Sequence, residues 1–321
     1  MPRREDFTST EEPVVEPGAG QFLVKVKYIS LDPAMRGWMN EGRSYARPVG
    51  IGDVMRAYAA GQVMSSQHPG FGEGEYVLGL FGVQQYALSD GQGIFKVDPS
   101  QAPLPVHLGA LGMPGLTAYF GLLEVGQLKE GETVVVSAAA GGVGQVVGQI
   151  AKLKGCRAVG IAGGPEKCAY IVDELGFDAA IDYKSENVAK SLREKCPDRI
   201  NVYFDNVGGE ILDACFTWLA RRARIVICGA ISQYNNAERG PGPRNYMALL
   251  IDRARMEGFV VFDYFDRYPE ATAELGRWYM EGKLKSREDV VRGGVDRFAD
   301  TLLKLYTGEN FGKLVLQLDE D

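Results

Sequence analysis

Residues 134–144 read Val-Val-Val-Ser-Ala-Ala-Ala-Gly-Gly-Val-Gly, and the segment that follows them, 145–154, is amphipathic. The apolar run is typical of a buried parallel strand, and the spacing of Val143, Val147 and Ile150 is typical of one face of a helix. A strand, a glycine-rich turn and a helix in this order present backbone N–H groups and the positive end of a helix dipole to an anion. The stretch therefore predicts a dinucleotide site, with the pyrophosphate at the turn.

The glycine spacing matches the fingerprint G-x-G-x-x-G with an alanine, Ala139, in the first place. A glycine in the middle lets the backbone approach the phosphates, and the last glycine lets the helix pack close to the strand. Small residues also occur in such turns for packing alone, so the predicted strand and helix on either side are needed to support the assignment. The residues assigned to the pyrophosphate are Gly141, Gly142, Val143 and Gly144.

The tip of the second strand, predicted at 157–161, indicates which dinucleotide binds. An NAD site usually has a carboxylate there, about 20 residues on, for the ribose 2'-hydroxyl. This chain has Ala162, Gly163 and Gly164 instead, and Lys167 follows shortly after. A missing acid removes repulsion toward a 2'-phosphate and a nearby cation attracts it, although a lysine in a first helical turn is often only solvated. We expect NADP(H), with Gly163 and Lys167 in its site.

Composition limits the class of protein. The 321 residues carry a net charge of -7, and 45% of them are hydrophobic and 24% charged, as in ordinary globular proteins with room for two domains. The acidic balance disfavours nucleic acid and anionic membranes as partners, and no apolar run reaches the roughly 20 residues of a membrane span. The polar N-terminus lacks the apolar region of a signal peptide. We expect a cytoplasmic protein that acts on a small molecule.

Cysteine and histidine are sparse where a catalytic zinc would need them. All five cysteines lie beyond residue 150 without a close C-x-x-C pair, which favours reduced buried thiols. The two histidines are His68 and His107, and the first 115 residues contain no cysteine for a dehydrogenase-type zinc site. We therefore expect catalysis without a metal.

Strands and helices alternate from residue 133 onward. Strands are predicted near 133–137, 157–161, 178–181, 201–205, 224–228 and 257–262. Helices are predicted near 142–154, 165–175, 186–195, 209–219 and 245–254. This alternation specifies an α/β fold with a doubly wound, six-stranded parallel sheet of the Rossmann type.

The N-terminal segment differs, because its pattern is that of a mostly β unit. Residues 22–29 alternate as a half-buried strand. Further short strands are predicted near 53–64, 76–81, 84–88, 94–97 and 312–318, the last after helical patterns at 268–281 and 296–306. We expect a discontinuous substrate domain at 1–112 and 285–321, and an NADP-binding domain at 113–284.

Longer runs resemble one family. They are LGMPGLTAYFGLLE at 111–124, VGQIAKLKGC at 147–156, FDNVGG at 204–209, CGAISQYN at 228–235 and NFGK at 310–313. They are similar to the zinc-free medium-chain dehydrogenase/reductases of the prostaglandin reductase / leukotriene B4 12-hydroxydehydrogenase family, which has bacterial curcumin-reductase-like and plant alkenal double-bond reductase members. The resemblance implies a GroES-like β domain and NADPH-dependent reduction of a carbon–carbon double bond conjugated to a carbonyl.

The resemblance also implies roles for individual residues. Lys167 would bind the 2'-phosphate, and Tyr183 would lie near it. Asn206 also ends the fourth strand at the ligand-binding edge of the sheet, although an Asn before Gly-Gly equally suits a turn. The other residues implied along the cofactor are Met113 near the nicotinamide, Cys228, Gly229, Ala230, Ile231, Ser232, Phe259, Val260, Val261 and Asn310.

Two tyrosines are candidate catalytic residues. Hydride addition to the β-carbon of an enone puts charge on the carbonyl oxygen, so a hydrogen-bond donor is needed there. By the family pattern Tyr234 would supply it, and the α-carbon proton could come from Tyr234, Tyr45 or water. Tyr45 lies in a polar loop that resembles the family's substrate-side loop, although tyrosines more often serve packing. Phe81 and Tyr264 are candidate walls of an apolar substrate pocket.

The chain departs from the family at two places, and other functions stay open. The usual first strand is missing or replaced by the polar residues 1–12, and Ala34 stands where an aromatic residue is common.

An NADPH:quinone reductase, an allylic alcohol dehydrogenase or a non-catalytic NADPH-binding protein would use the same cofactor site. Residues 258–262 are predicted as the last strand of the sheet, with an apolar edge that a second copy would cover in a homodimer.

Overall fold

The computed structural model describes residues 1–236, 240 and 242–319. The backbone divides into a first unit, Met1–Leu108 with Glu288–Asp321, and a second unit, Gly109–Arg287. The expected limits of the second domain, 113 and 284, fall just inside the observed ones.

The two units take their strands and helices from three successive segments of the chain. The first unit begins with β1 (Phe22–Ser30), α1 (Met35–Trp38), β2 (Ala59–Ser66), β3 (Tyr76–Gly79), β4 (Tyr86–Ser89), β5 (Phe95–Val97) and α2 (Leu104–Leu108). The second unit contains α3 (Met113–Phe120), β6 (Thr133–Ser137), α4 (Gly144–Leu153), β7 (Arg157–Ala162), α5 (Pro165–Asp173), β8 (Ala179–Asp182), α6 (Val188–Lys195), β9 (Ile200–Asp205), α7 (Gly209–Phe216), β10 (Leu219–Ile227), α8 (Ala248–Ile251), β11 (Arg255–Gly258) and α9 (Tyr268–Met280). The first unit resumes with β12 (Glu288–Arg292), α10 (Phe298–Thr307) and β13 (Lys313–Gln317).

The first unit is built on a mostly antiparallel sheet. Its order is β12-β13-β1-β2-β3-β5, with β4 also paired to β1, and among the described strands of this sheet only β12 and β13 run parallel. Alternate residues of β1, among them Phe22 and Val24, are buried in the core, as their spacing predicts. Residues 1–21 contain one short 3-10 turn, Arg4–Asp6, and no strand. β2 begins at Ala59, contrary to the predicted start at 53, and the preceding residues make isolated backbone hydrogen bonds, such as that from the Ser30 N–H to the Tyr58 carbonyl.

An ion pair with a buried lysine fixes the return of the chain to this unit. The Lys313 ammonium, on β13, lies 2.8 Å from Asp32 Oδ1 and donates to the Leu31 carbonyl at 2.7 Å. Its side chain is 4% exposed. A charge removed from water to this extent needs such partners. The contact therefore joins the segment after β1 to the last strand.

The second unit confirms the predicted Rossmann architecture. Its parallel sheet, in the described part of the chain, has the order β11-β10-β9-β6-β7-β8. All five residues of β6 are buried, as expected for a central parallel strand covered on both faces. None of the described helices could cross a bilayer by length and apolar character.

The last strand of this sheet was predicted at the wrong residues. β11 ends at Gly258, and Val261–Arg267 form a 3-10 helix instead of a continued strand. The Tyr264 ring stacks on Phe120 with centroids 4.7 Å apart, and the Tyr268 hydroxyl donates to the Val261 carbonyl. These contacts turn the apolar run toward the helices, and the sequence pattern alone does not contain them.

Two glutamines on α4 form hydrogen bonds with the backbone of the last residues of this unit. Gln149 exchanges hydrogen bonds of 2.8 and 2.9 Å with the backbone of Lys285, and Gln145 exchanges bonds of 3.1 and 3.2 Å with that of Arg287. Because they are one turn apart, both amides face the same extended segment. The helix that follows the glycine turn is thus held from its side by buried amides.

Candidate functional site

The glycine turn between β6 and α4 has the close packing that the fingerprint predicts. A Cβ on Gly144 would lie 2.3 Å from the Ala138 oxygen, so only glycine fits there. A Cβ on Gly141 would be 3.1 Å from the same oxygen, and Ala138 itself has a positive φ of 49°. Because the first N–H groups of a helix have no intrahelical acceptor, this turn can bind a diphosphate. Gly142 and Val143 complete it.

The tip of β7 presents glycine and cationic residues. A Cβ on Gly163 would lie 2.8 Å from Tyr183 Cε1, so the tyrosine ring packs beside this glycine. Lys167 lies in the first turn of α5. Asp182, which was not singled out from the sequence, accepts the Gly164 N–H at 2.8 Å, and this hydrogen bond holds the pKa of its carboxyl below the usual value. Gly163 and Tyr183 are thus adjacent where a ribose phosphate is expected.

Asn206 follows β9 and is held by β6. Its amide nitrogen donates to the Ser137 carbonyl at 2.8 Å, and its backbone N–H donates to Ser137 Oγ at 2.9 Å. Its own carbonyl accepts the Ile231 N–H, which ties it to the loop after β10. The amide is therefore oriented at the carboxyl edge of the sheet, with its side-chain oxygen as the remaining acceptor.

Asp205 is a buried carboxyl beneath this edge that sequence reasoning missed. Its Oδ1 accepts hydrogen bonds from the Tyr203 hydroxyl, Ser137 Oγ and the backbone N–H groups of Val207 and Gly208, at 2.8 to 3.1 Å. Burial raises the pKa of this carboxyl despite those donors. Asp205 therefore connects the ends of β6 and β9 and shapes the turn that carries Asn206.

The loop after β10 positions Tyr234. The Tyr234 hydroxyl accepts the Ala230 N–H at 3.1 Å, and a Cβ on Gly229 would lie 2.9 Å from it. The loop thus folds back on the tyrosine and fixes where its phenol oxygen lies. Ser232 Oγ donates to the Val207 carbonyl at 2.6 Å. Burial raises the pKa of the Cys228 thiol to about 12, which favours its protonated form.

The remaining candidates of the second unit line its aromatic core. Met113 begins α3, and its sulfur lies 3.7 Å from the Tyr268 hydroxyl oxygen. Phe259 packs edge-on against Phe204 with centroids 6.3 Å apart, and Val260 and Val261 follow it. Tyr264 is the ring stacked on Phe120. These residues stay proposals for the cofactor and substrate.

Three candidates belong to the first unit. Tyr45 is 56% exposed, and its hydroxyl accepts the Trp38 Nε1–H at 3.3 Å. Phe81 is 4% exposed and lies in the core of this unit. The Asn310 amide donates to the Gly312 carbonyl at 3.1 Å, which fixes the turn before β13.

The described residues contain no cluster of three His, Cys, Asp or Glu side chains that could share a metal ion. Metal-free catalysis stays a prediction from the sequence.

Two family models match the chain. One, described as the N-terminal domain of oxidoreductases, matches residues 1–97, and one described as zinc-binding dehydrogenase matches residues 142–277. The chain is 44% identical to the NADPH-dependent curcumin reductase of Escherichia coli K12, with 100% of this chain and 94% of that protein covered. It is 42% identical to prostaglandin reductase 1 of Mus musculus, with 93% and 89% covered.

A solved structure agrees with these relatives. The crystal structure of CurA from Vibrio vulnificus in complex with NADPH superposes with a TM-score of 0.93 at 46% identity, covering 100% of this chain and 96% of that one. The similarity thus extends over both units of the chain.

Proposed function

The chain belongs to the prostaglandin reductase and curcumin reductase family of medium-chain dehydrogenase/reductases, and from that premise we propose an NADPH-dependent reductase of α,β-unsaturated ketones and aldehydes. The bond reduced is the carbon–carbon double bond conjugated to the carbonyl. The observation that carries the proposal is the group formed by the glycine turn, Asn206 and the Tyr234 loop at one edge of the parallel sheet. Ligands of such sheets bind at this edge.

The residues of the second unit fit NADPH. Close packing at Gly144 opens the helix terminus to a pyrophosphate, and Gly163 lets the Tyr183 ring pack at the tip of β7, where the phosphorylated ribose is proposed. Lys167 supplies a cation, and Asn206 offers an amide oxygen to a ribose hydroxyl. When bound, NADPH supplies the hydride. Met113, the loop from Cys228 to Ser232, Phe259 to Val261 and Asn310 are proposed along the rest of the cofactor.

Tyr234 is proposed as the donor that stabilises the enolate. As the substrate's β-carbon gains a hydride, negative charge develops on the carbonyl oxygen, and a fixed phenol O–H lowers the energy of that charge. The hydrogen bond from the Ala230 N–H to the phenol oxygen fixes the position of the Tyr234 hydroxyl before substrate binds and polarises its O–H bond. Tyr234 or Tyr45 then returns a proton to the α-carbon, or water does. Phe81 and Tyr264 are proposed as apolar substrate contacts.

The proposed function is tested by comparing three substrates under one set of conditions. NADPH oxidation is followed with an enone, with its saturated ketone and with a quinone, and the products are identified. We expect turnover of the enone to the saturated ketone and no reduction of the ketone to an alcohol. Preferred turnover of the quinone would favour a quinone reductase, an alcohol product would favour an alcohol dehydrogenase, and NADPH binding without turnover would indicate a non-catalytic protein.

We also propose that the protein works as a homodimer in the cytoplasm. Large apolar side chains are exposed near the β11 edge of the sheet: Tyr246, Met247, Leu250, Ile251, Met256, Phe262 and Phe265. Within the described part of the chain, β11 pairs on one side only, with β10. An exposed strand edge beside an apolar surface is usually covered, and a second copy would cover both. The five free cysteines suit a reducing compartment.

A further inference from the structure

A second lysine, Lys184, lies just after β8 and beside the tip of β7, and the assignment made from the sequence gave it no role. A Cβ on Gly163 would lie 3.0 Å from Cε of Lys184, beside the 2.8 Å contact with Tyr183. The lysine chain therefore runs over the bare backbone of Gly163. Its ammonium, one bond beyond Cε, lies at the same strand end as the proposed ribose site.

The backbone around Lys184 is fixed by the same corner of the sheet. Ala162 and Asp182 are paired in register, and the Tyr183 N–H donates to the Ala162 carbonyl at 3.1 Å. Asp182 Oδ1 accepts both the Gly164 N–H, at 2.8 Å, and the Lys184 N–H, at 3.0 Å. One carboxylate thus clamps the ends of β7 and β8 together and sets where Lys184 begins.

The acids of this corner are already engaged. The second oxygen of Asp182 accepts the Ser185 hydroxyl at 2.8 Å, and Glu186 accepts Lys195 and Ser191 at 2.7 and 2.6 Å. Among the described residues Lys184 forms no ion pair with a carboxylate. Together with the hydrogen bond from Gly164, its positive charge contributes to the lowered pKa of the Asp182 carboxyl, and its ammonium donors can also reach an anion that approaches Gly163.

We propose that Lys184 is a second cation for the 2'-phosphate of NADPH, acting with Lys167 to select NADPH over NADH. The inference rests on the proposed cofactor. A doubly charged phosphate gains from two cations placed on separate elements, here α5 and the segment after β8, because each satisfies different oxygens. NADH has no group at this position and gains nothing from Lys184.

The test measures dissociation constants for NADPH and NADH by nicotinamide fluorescence, with the complete protein. Lys184→Met is expected to weaken NADPH binding about tenfold, as the loss of one charged hydrogen bond does, and to leave NADH binding unchanged. Lys184→Arg keeps the cation and is expected to retain the preference. Lys190→Met, which removes an exposed lysine on α6, serves as the matched control and is expected to behave as the wild type.

The outcomes separate this inference from the cofactor assignment. If the wild type binds NADH as tightly as NADPH, the proposed cofactor is wrong. If the wild type prefers NADPH and Lys184→Met keeps the full preference, or loses both cofactors equally, the role of Lys184 is overturned and the cofactor assignment stands. A raised salt concentration should narrow the difference between wild type and Lys184→Met, because it screens the exposed ion pair.

Discussion

At the scale of single residues, the candidate site depends on side chains whose polar atoms are fixed before any ligand binds. The Asn206 amide is oriented by Ser137, and the Tyr234 phenol by the Ala230 N–H. Groups held in this way lose little conformational entropy during the reaction and act on charge where it develops. Their geometry therefore favours stabilisation of an oxyanion.

Tyr234→Phe removes the phenol and keeps the ring. We expect kcat for an enone to fall about 100-fold, within the range seen when one oxyanion donor is removed, while NADPH still binds. Tyr86→Phe, in the first unit, is the matched control and should retain full activity. Steady-state kinetics measure kcat for both variants. Full activity of Tyr234→Phe on every enone would show that Tyr234 is not the donor to the carbonyl oxygen.

Asp205 predicts a pH dependence of stability. Because burial raises the pKa of its carboxyl, the folded protein binds this proton more tightly than the unfolded chain. The contribution of the protonated Asp205 carboxyl to the free energy of unfolding is fully present below the ordinary pKa of about 4. It is lost as the pH rises through the raised pKa of the folded protein. Asp205→Asn cannot titrate, so the difference in unfolding free energy between wild type and Asp205→Asn should change over that range. Urea unfolding at several pH values measures it, and a constant difference would contradict the assignment.

At the scale of elements, hydrophobic periodicity predicted those strands and helices whose positions are set by their own sequence. The strand β6, the turn and the helix α4 were predicted within two residues, because burial on both faces of the strand and one face of the helix leaves a clear pattern. β12 was missed, since Glu288–Arg292 has charged ends and is recognised only by its pairing with β13. Asp205 and Lys184 were missed for a similar reason, because the contacts of Asp205 with Ser137 and of Lys184 with Gly163 join residues from different strand ends.

The ion pair between Asp32 and Lys313 is a prediction at this scale. Asp32→Ala leaves a buried ammonium with only the Leu31 carbonyl, and we expect unfolding to become easier by roughly 3 kcal/mol. Asp32→Ala combined with Lys313→Met removes both charges and should recover most of that loss. Denaturant unfolding measures both variants, and equal stability of Asp32→Ala and wild type would show that the pair contributes nothing.

At the scale of the whole molecule, the residues proposed to bind cofactor or substrate come from both units. Tyr45, Phe81 and Asn310 belong to the first unit, and the glycine turn and Tyr234 belong to the second. Composition, strand–helix alternation and the longer family-like runs were enough to predict both units and the family. The substrate contacts were not predictable in this way, because they depend on loops whose conformation follows no periodic pattern.

The exposed apolar surface near β11 predicts assembly. Leu250→Lys with Ile251→Lys places two charges on that surface, and a dimer should become a monomer because buried unpaired charges are costly. Met280→Lys, on α9, changes an equally exposed apolar side chain away from that strand and is the control. Sedimentation velocity distinguishes the states. A wild type that sediments as a monomer would contradict the proposed homodimer.

The proposed reaction is tested by following the hydride that NADPH transfers. With NADPH deuterated at the transferred position and an enone as substrate, we expect a saturated ketone that carries one deuterium at the β-carbon. Deuterium on the carbinol carbon of an unsaturated alcohol would contradict the proposed reaction.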